Sequence, residues 1–142
     1  MPAVSRSNAD AAADLPVRPG EEPWTDAELK EVRTELESEA AILRADLAKA
    51  ASDVAERLSD SVRDAGDDTA DAGTKAFERE HELALTQNAQ GLLDQGERAL
   101  ARIDAGTYGV CESCGKPIGK ARLLAFPRAI LCVECKQREE RR

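Results

Sequence analysis

Four cysteines, arranged in two pairs, are the residues of this chain whose types and spacing point most directly to chemistry. Cys111 and Cys114 form one Cys-x-x-Cys pair, Cys132 and Cys135 form a second, and the 142-residue sequence has no other cysteine. Seventeen residues separate the pairs, a spacing typical of four thiolates that hold one tetrahedral zinc ion. Four sulfur ligands leave no position for a substrate water, so we expect this zinc to be structural. A redox dithiol or a disulfide is the alternative, but a thioredoxin-like site would require a βαβ context that the sequence does not predict.

A second group of reactive side chains is a run of aspartates near the middle of the chain. Five carboxylates fall within twelve residues and only Arg63 opposes them: Asp60, Asp64, Asp67, Asp68 and Asp71. Such a concentration produces a negative field that attracts a metal ion or the basic groups of a partner. The alternative is structural, because Asp68 or Thr69 can cap the second helix and Asp71 would then lie in its first turn, where the helix dipole favours a carboxylate. The residues alone leave both interpretations open.

The parts required for catalysis cannot be assembled from this sequence. It offers no Ser/His/Asp or Cys/His set and no glycine-rich phosphate loop. The one histidine, His81, falls on an apolar stripe, where packing is a better interpretation than ligation. We therefore expect a protein that is not an enzyme.

Two long helices are predicted before and after the aspartates. No proline lies between Pro23 and Pro117, and Thr25 with Glu28 forms a capping box that would begin the first helix. Small or apolar residues then recur every three or four positions, at Val32, Leu36, Ala40, Leu43, Leu47, Ala51, Val54, Leu58 and Val62. A second stripe comprises Phe77, His81, Leu85, Ala89, Leu92, Gly96, Ala99 and Ile103. Two such helices joined near residues 66–71 should fold back antiparallel, each covering the other's stripe.

Composition divides the chain into three parts. Residues 1–23, rich in Ala, Asp, Ser and Pro, are predicted to be a disordered tail. Residues 24–105 form the antiparallel helical hairpin, with its tip near 66–71. Residues 106–142 form the four-cysteine zinc finger and a C-terminal helix. The predicted fold class is all-α: a long antiparallel helical hairpin, or coiled coil, with a small C-terminal zinc finger and a final short helix.

Charge is distributed unevenly along the chain. Residues 1–110 carry 12 Lys/Arg against 24 Asp/Glu, a net charge of −12, whereas residues 111–142 carry 8 against 4, a net charge of +4. Acidic helices disfavour nonspecific binding along nucleic acid. The basic finger nevertheless leaves an alternative open, a zinc-ribbon adaptor that binds nucleic acid or another protein. Its cations would be Lys116, Lys120, Arg122, Arg128 and Arg138. A third possibility is a structural coiled-coil dimer, in which Leu93 and Leu100 continue the seam onto a second chain.

The sequence predicts a cytoplasmic protein that does not enter a membrane. Its N-terminus has no apolar h-region, and no stretch approaches the roughly eighteen apolar residues needed to cross a bilayer. In a reducing compartment, cysteine pairs with this spacing are metal ligands more often than disulfides.

The finger carries a motif that extends well beyond its cysteines. It runs from Gly106-Thr-Tyr-Gly-Val-Cys111-Glu-Ser-Cys114-Gly115 through Arg122-Leu-Leu-Ala-Phe-Pro-Arg-Ala129 to Cys132-Val-Glu-Cys135. This stretch resembles the DksA/TraR family of zinc-finger transcription factors, and the resemblance covers the last 37 residues together with the layout of the predicted hairpin. Members of that family insert a coiled-coil hairpin into the secondary channel of RNA polymerase and alter promoter open complexes, often together with the alarmone ppGpp. The resemblance therefore implies RNA polymerase as the partner of a monomer that binds DNA weakly, if at all.

The resemblance also assigns roles to individual residues. The family's tip motif Asp-x-x-Asp-x-Ala falls on residues 68–73, so Asp68 and Asp71 would face the magnesium-containing active centre of the polymerase, while Gly73 stands in place of the final Ala. Alarmone contacts in the family come from basic residues near the end of the second helix and on the finger. Of these positions Lys136 keeps its charge, whereas Gln95 and Phe126 do not. Lys136 is therefore the candidate contact for the alarmone or the polymerase.

Overall fold

Helices make up most of the described chain. The computed structural model describes residues 12–63 and 69–141, with the backbone alone at 61–63 and 69–72. Its helices in these ranges are α1 (Asp26–Arg63), α2 (Thr69–Ala105), α3 (Lys120–Ala125) and α4 (Val133–Glu140). An isolated antiparallel bridge joins Val110 to Pro117. The predicted all-α class is confirmed. None of the described helices has the length and apolarity that a membrane span requires.

The first helix begins at the predicted capping box. The amide of Glu28 donates to the Thr25 hydroxyl at 3.1 Å, and the amide of Thr25 donates to the Glu28 carboxylate at 3.0 Å. Two amides that no carbonyl inside the helix could reach are thereby satisfied. This local prediction is confirmed because both partners lie within four residues of each other.

The second helix ends at a glycine that adopts positive φ. Gly106 has φ 76°, and its amide donates to the Ile103 carbonyl at 3.2 Å while the Thr107 amide donates to the Arg102 carbonyl at 2.9 Å. This pair of bonds is the Schellman arrangement, which stops a helix and turns the chain sharply. The turn directs the chain into the segment that carries the first cysteine pair.

The chain folds into two compact units. Unit 1 comprises the described residues up to Ser38 and from Gln95 onward, and unit 2 comprises Glu39–Asp94. The core of unit 1 is one cluster of buried residues: Ala12, Leu15, Trp24, Leu29, Val32, Leu36, Ala99, Ile103, Tyr108, Cys111, Ile118, Leu123 and Cys135. Because each fully buried aliphatic side chain contributes roughly 1.5–3 kcal/mol, this shared core gives the small finger apolar support that its own residues could not supply.

The segment before α1 belongs to the core of unit 1. Residues 1–23 were predicted to be a disordered tail, and residues 1–11 lie outside the described part of the chain. From residue 12 onward the structure differs from the prediction, since Ala12 is 0 % exposed and Leu15 is 4 % exposed. The composition of this segment is polar overall, but its few apolar side chains are buried among residues that are distant in sequence.

Unit 2 consists of the facing parts of α1 and α2, and most of its apolar residues are exposed. Ala40 and Leu93 are buried, whereas Leu58 is 65 % exposed and Phe77 is 73 % exposed. His81, predicted to pack in the seam, is also exposed. Along α1 the predicted stripe is buried at Val32 and Leu36 and exposed at Leu58, whereas along α2 it is exposed at Phe77 and buried at Ile103.

Candidate metal centre

The four cysteines of the two Cys-x-x-Cys pairs lie together in unit 1. Their sulfur atoms all lie within 4.8 Å of one another, and the Sγ atoms of Cys114 and Cys132 are 3.8 Å apart. Four ligands placed about 2.3 Å from a tetrahedral zinc would be separated by about 3.8 Å. The spacing of the sulfur atoms thus fits one zinc ion of normal geometry.

The first pair is held in a tight turn. The Cys111 amide donates to the Lys116 carbonyl at 2.9 Å, and the Gly115 amide donates to the Cys111 carbonyl at 3.0 Å. Gly115 has φ 75°, a conformation that glycine adopts without steric cost. The turn directs the sulfurs of Cys111 and Cys114 toward the same point, and the Val110–Pro117 bridge closes its base.

The second pair begins the last helix. Cys132 is the N-cap of α4 with extended backbone angles, φ −69° and ψ 166°, and Cys135 lies in the first turn of that helix. The Cys132 amide donates to the sulfur of Cys111 at 3.4 Å, so the two pairs are joined directly. The Glu112 amide also donates to the Ile130 carbonyl at 2.9 Å, which ties the first turn to the segment that precedes the second pair.

The clustered thiols change one another's pKa values. Burial raises the pKa of Cys111, but amide hydrogen bonds from Cys114, Cys132 and Ser113 outweigh it and lower that pKa to about 6. The adjacent side chain of Cys132 raises the pKa of Cys135 to about 12. Four clustered thiols cannot all ionise beside one another, and a divalent ion removes that conflict by stabilising every thiolate. The donor set therefore fits one structural zinc ion.

An ion-pair cluster fastens the first cysteine turn to α2. Glu112, which lies between the two cysteines, pairs with Arg98 at 3.0 Å and with Arg102. Arg102 also donates to the Val110 carbonyl at 3.3 Å. Two cations of α2 thus fix the backbone on which Cys111 is carried. Sequence reasoning missed this cluster, although the basic residue in the last turn of α2 was a usable signal.

A buried tyrosine connects the end of α2 to the loop between the cysteine pairs. The hydroxyl of Tyr108 donates to the Pro127 carbonyl at 2.8 Å, and its side chain is 1 % exposed. The Tyr108 ring lies 6.0 Å from that of Trp24 at an interplanar angle of 57°. Burial raises the pKa of this phenol well above its ordinary value, so the hydroxyl is protonated and able to donate at neutral pH.

The remaining predicted site residues lie apart from the metal centre or outside the described part of the chain. Asp68 is among the residues that the structure does not describe, and Asp71 lies in α2 with only its backbone described. Lys136 lies on α4 with its side chain 49 % exposed and its ammonium 3.8 Å from a carboxylate oxygen of Glu139. The role of Lys136, like the roles of the two aspartates, therefore rests on the resemblance in sequence.

Long helices joined to a closed four-cysteine centre define a helical zinc-finger protein whose metal is structural. Residues 106–141 match the family model described as "Prokaryotic dksA/traR C4-type zinc finger". The fold is similar to the solved structure of transcription factor DksA2 from Pseudomonas aeruginosa, with a TM-score of 0.63 and 34 % sequence identity, over 81 % of this chain and 84 % of that one. The chain belongs to the DksA/TraR family.

Curated relatives match over a shorter span. The RNA polymerase-binding transcription factor DksA of Caulobacter vibrioides (strain NA1000 / CB15N) is 43 % identical over 65 residues, 46 % of either chain. The protein of the same name from Escherichia coli (strain K12) is 40 % identical over 55 residues, 39 % of this chain and 36 % of its own. The matched segment thus spans less than half the length of these relatives.

Proposed function

We propose that this protein is an RNA polymerase-binding regulator of transcription that acts in the cytoplasm as a monomer and without catalysis. The observation that carries the proposal is the combination of a C4 zinc finger with two long helices, in a fold similar to that of DksA2 over 81 % of the chain. Curated relatives that match part of the chain are named as RNA polymerase-binding transcription factors. A closed sulfur shell supports a structural rather than a chemical role for the zinc.

The proposed mode of action is insertion of the junction between α1 and α2, near residues 66–71, into the secondary channel of the polymerase. There Asp68 and Asp71 would act electrostatically near the magnesium-containing active centre, where carboxylates attract or compete for a hard cation. Both aspartates occur at the positions that the family's tip motif assigns to them. Zinc would take no direct part in this chemistry and would hold the fold of unit 1.

Direct binding of nucleic acid by the basic finger is the weaker alternative. Its candidate cations include residues that are engaged within the protein: the Lys120 ammonium lies 2.6 Å from a carboxylate oxygen of Glu28, and the Arg122 guanidinium donates to the Leu131 carbonyl at 3.1 Å. The Lys120 side chain is only 12 % exposed. Cations held in this way contribute little to phosphate binding, which favours a protein partner over a duplex.

A pair of aspartate substitutions tests the mode of action. In an in vitro transcription assay, Asp68→Asn with Asp71→Asn should retain binding to core RNA polymerase but abolish the effect on promoter complexes. A matched control, Asp46→Asn with Asp53→Asn on the exposed surface of α1 and outside the group of five tip aspartates, removes the same charge and should behave as wild type. An unchanged effect of the tip variant, or equal losses in both variants, would exclude the tip mechanism.

Binding itself is tested by capture of core polymerase on the immobilised zinc-loaded protein. We expect competition from another secondary-channel factor, and capture that persists in its presence would argue against the channel. Lys136→Ala should weaken any ppGpp-dependent part of the response, with exposed Lys116→Ala as its control. Sedimentation of the free protein as a dimer would favour the structural coiled-coil alternative.

A further inference from the structure

Residues 15–24, here called the strap, lie across the zinc finger. Leu15 and Trp24 are buried at its two ends. Between them, a Cβ added to Gly109 would meet Pro16 at 3.6 Å, and one added to Gly119 would meet the Arg18 side chain at 2.9 Å. The strap therefore passes directly over two glycine positions of the finger.

Glu21 of the strap caps the finger's own helix, α3. One carboxylate oxygen accepts the amide of Lys120 at 3.0 Å, and the other accepts the amide of Ala121 at 3.0 Å. The residue at the N-cap of α3 is Gly119, which has no side chain that could cap the helix. The carboxylate that does so comes from 99 residues earlier in the chain. Arg18 also donates its amide to Glu21 at 2.7 Å, which orients the carboxylate.

Lys120, the first residue of α3, also contacts residues 23–28. The Lys120 ammonium lies 2.6 Å from a carboxylate oxygen of Glu28, donates to the Pro23 carbonyl at 3.3 Å and lies 6.0 Å from the ring of Trp24. Because its side chain is largely buried, this ion pair is shielded from solvent more than a surface pair. Lys120 and Glu21 thus connect α3 to the strap in both directions.

The same helix positions the second cysteine pair. Leu123 is 0 % exposed and packs in the cluster that contains Cys111 and Cys135. Arg122 donates to the carbonyl of Leu131, the residue before Cys132. A helix of six residues is too short to persist without such support. Contacts therefore lead from Glu21 through α3 to the metal ligands.

We infer that the strap is an integral part of the zinc centre, and that Glu21 is a positioning residue that slows release of the metal from the four cysteines. Partners bonded directly to metal ligands typically change metal affinity by about 10- to 100-fold when they are removed, and Glu21, which acts through α3, should have an effect at the lower end of that range. This role is independent of polymerase binding, since zinc retention is measured on the free protein.

The test compares zinc release from full-length, zinc-loaded proteins. A chromogenic chelator in excess reports the rate, and Glu21→Ala should release zinc roughly tenfold faster than wild type. Glu22→Ala removes the same charge from the exposed neighbouring residue and should match wild type. Glu21→Gln, which keeps one carbonyl oxygen as an acceptor, should give an intermediate rate. Hydrogen exchange at the amides of Lys120 and Ala121 should accelerate in the same order.

A second control separates positioning from general loss of stability. Leu93→Ala removes a buried side chain that lies outside the cluster containing Leu15, Trp24, Cys111 and Cys135. At conditions where each protein is folded it should release zinc at close to the wild-type rate. Equal release rates for Glu21→Ala and Leu93→Ala would overturn the inference. So would a Glu21→Ala rate equal to that of Glu22→Ala, or unchanged exchange at the α3 amides in Glu21→Gln.

Discussion

Replacing Tyr108 by phenylalanine would remove one hydroxyl from the core of unit 1 and leave the ring in place. The phenol donates to the Pro127 carbonyl at 2.8 Å from a side chain that is 1 % exposed. A hydrogen bond of this kind contributes about 0.5–1.5 kcal/mol net, and leaving a buried acceptor unpaired costs about 1–3 kcal/mol. Because Pro127 is only half-buried, water can reach its carbonyl in part. We therefore expect Tyr108→Phe to lower the free energy of unfolding by about 1–2 kcal/mol.

Urea denaturation at a fixed free zinc concentration measures this loss. With a slope of about 2 kcal/mol per molar urea, the midpoint should fall by roughly 0.5–1 M while the slope stays constant. Thr107→Val, which removes an exposed hydroxyl from the adjacent residue, should change the midpoint little. An unchanged midpoint in Tyr108→Phe would refute the reasoning, because water would then replace the hydroxyl without cost.

Three further outcomes follow from burial, backbone geometry and charge. Leu36→Ala should lower the free energy of unfolding by about 2–5 kcal/mol, because the Leu36 side chain is 1 % exposed. Leu58→Ala should lower it by less than about 0.5 kcal/mol, because Leu58 is 65 % exposed. Equal losses for the two variants in urea denaturation would contradict the argument from burial. Gly119→Ala should destabilise the protein by about 1–3 kcal/mol, because Gly119 has φ 113°. Gly96→Ala, within α2, should stabilise it by about 0.5–1 kcal/mol. Thermal midpoints that shift in the same direction for both variants would contradict this prediction. The hydrogen bond from the Lys120 side chain lowers the pKa of Glu28 from its ordinary 4.5. The ionised Glu28 carboxylate therefore stabilises the folded protein fully above pH 4.5, and this stabilisation is lost as the pH falls through the lowered pKa. The stability of Glu28→Gln should therefore fall less steeply below pH 4.5 than that of wild type. Superimposable curves of stability against pH would show that the ion pair does not contribute to this pH dependence.

Features set by local sequence were predictable. The spacing of Cys111 from Cys114 identified a metal-binding turn, and Thr25 with Glu28 identified the start of α1. Each of these depends on residues within one turn of backbone, where residue type and spacing limit the geometry to few solutions.

Features that depend on distant residues were not predictable from the pattern. Nothing in the composition around Glu21 indicates that its carboxylate caps a helix 99 residues later, because a cap supplied from elsewhere in the chain has no local spacing. An apolar stripe likewise identifies a face of a helix but not what covers that face, which is why Leu58 and Phe77 fit the pattern and yet remain exposed.

The single tryptophan of the chain makes unit 1 optically separable from unit 2. Trp24 is 2 % exposed in the unit 1 core, the only tyrosine lies beside it, and unit 2 contains neither residue type. Intrinsic fluorescence therefore reports the core around the zinc finger alone, while far-ultraviolet circular dichroism reports the helices of both units. If the sparsely buried unit 2 melts first, the two signals will not coincide, and one midpoint will not describe the whole chain.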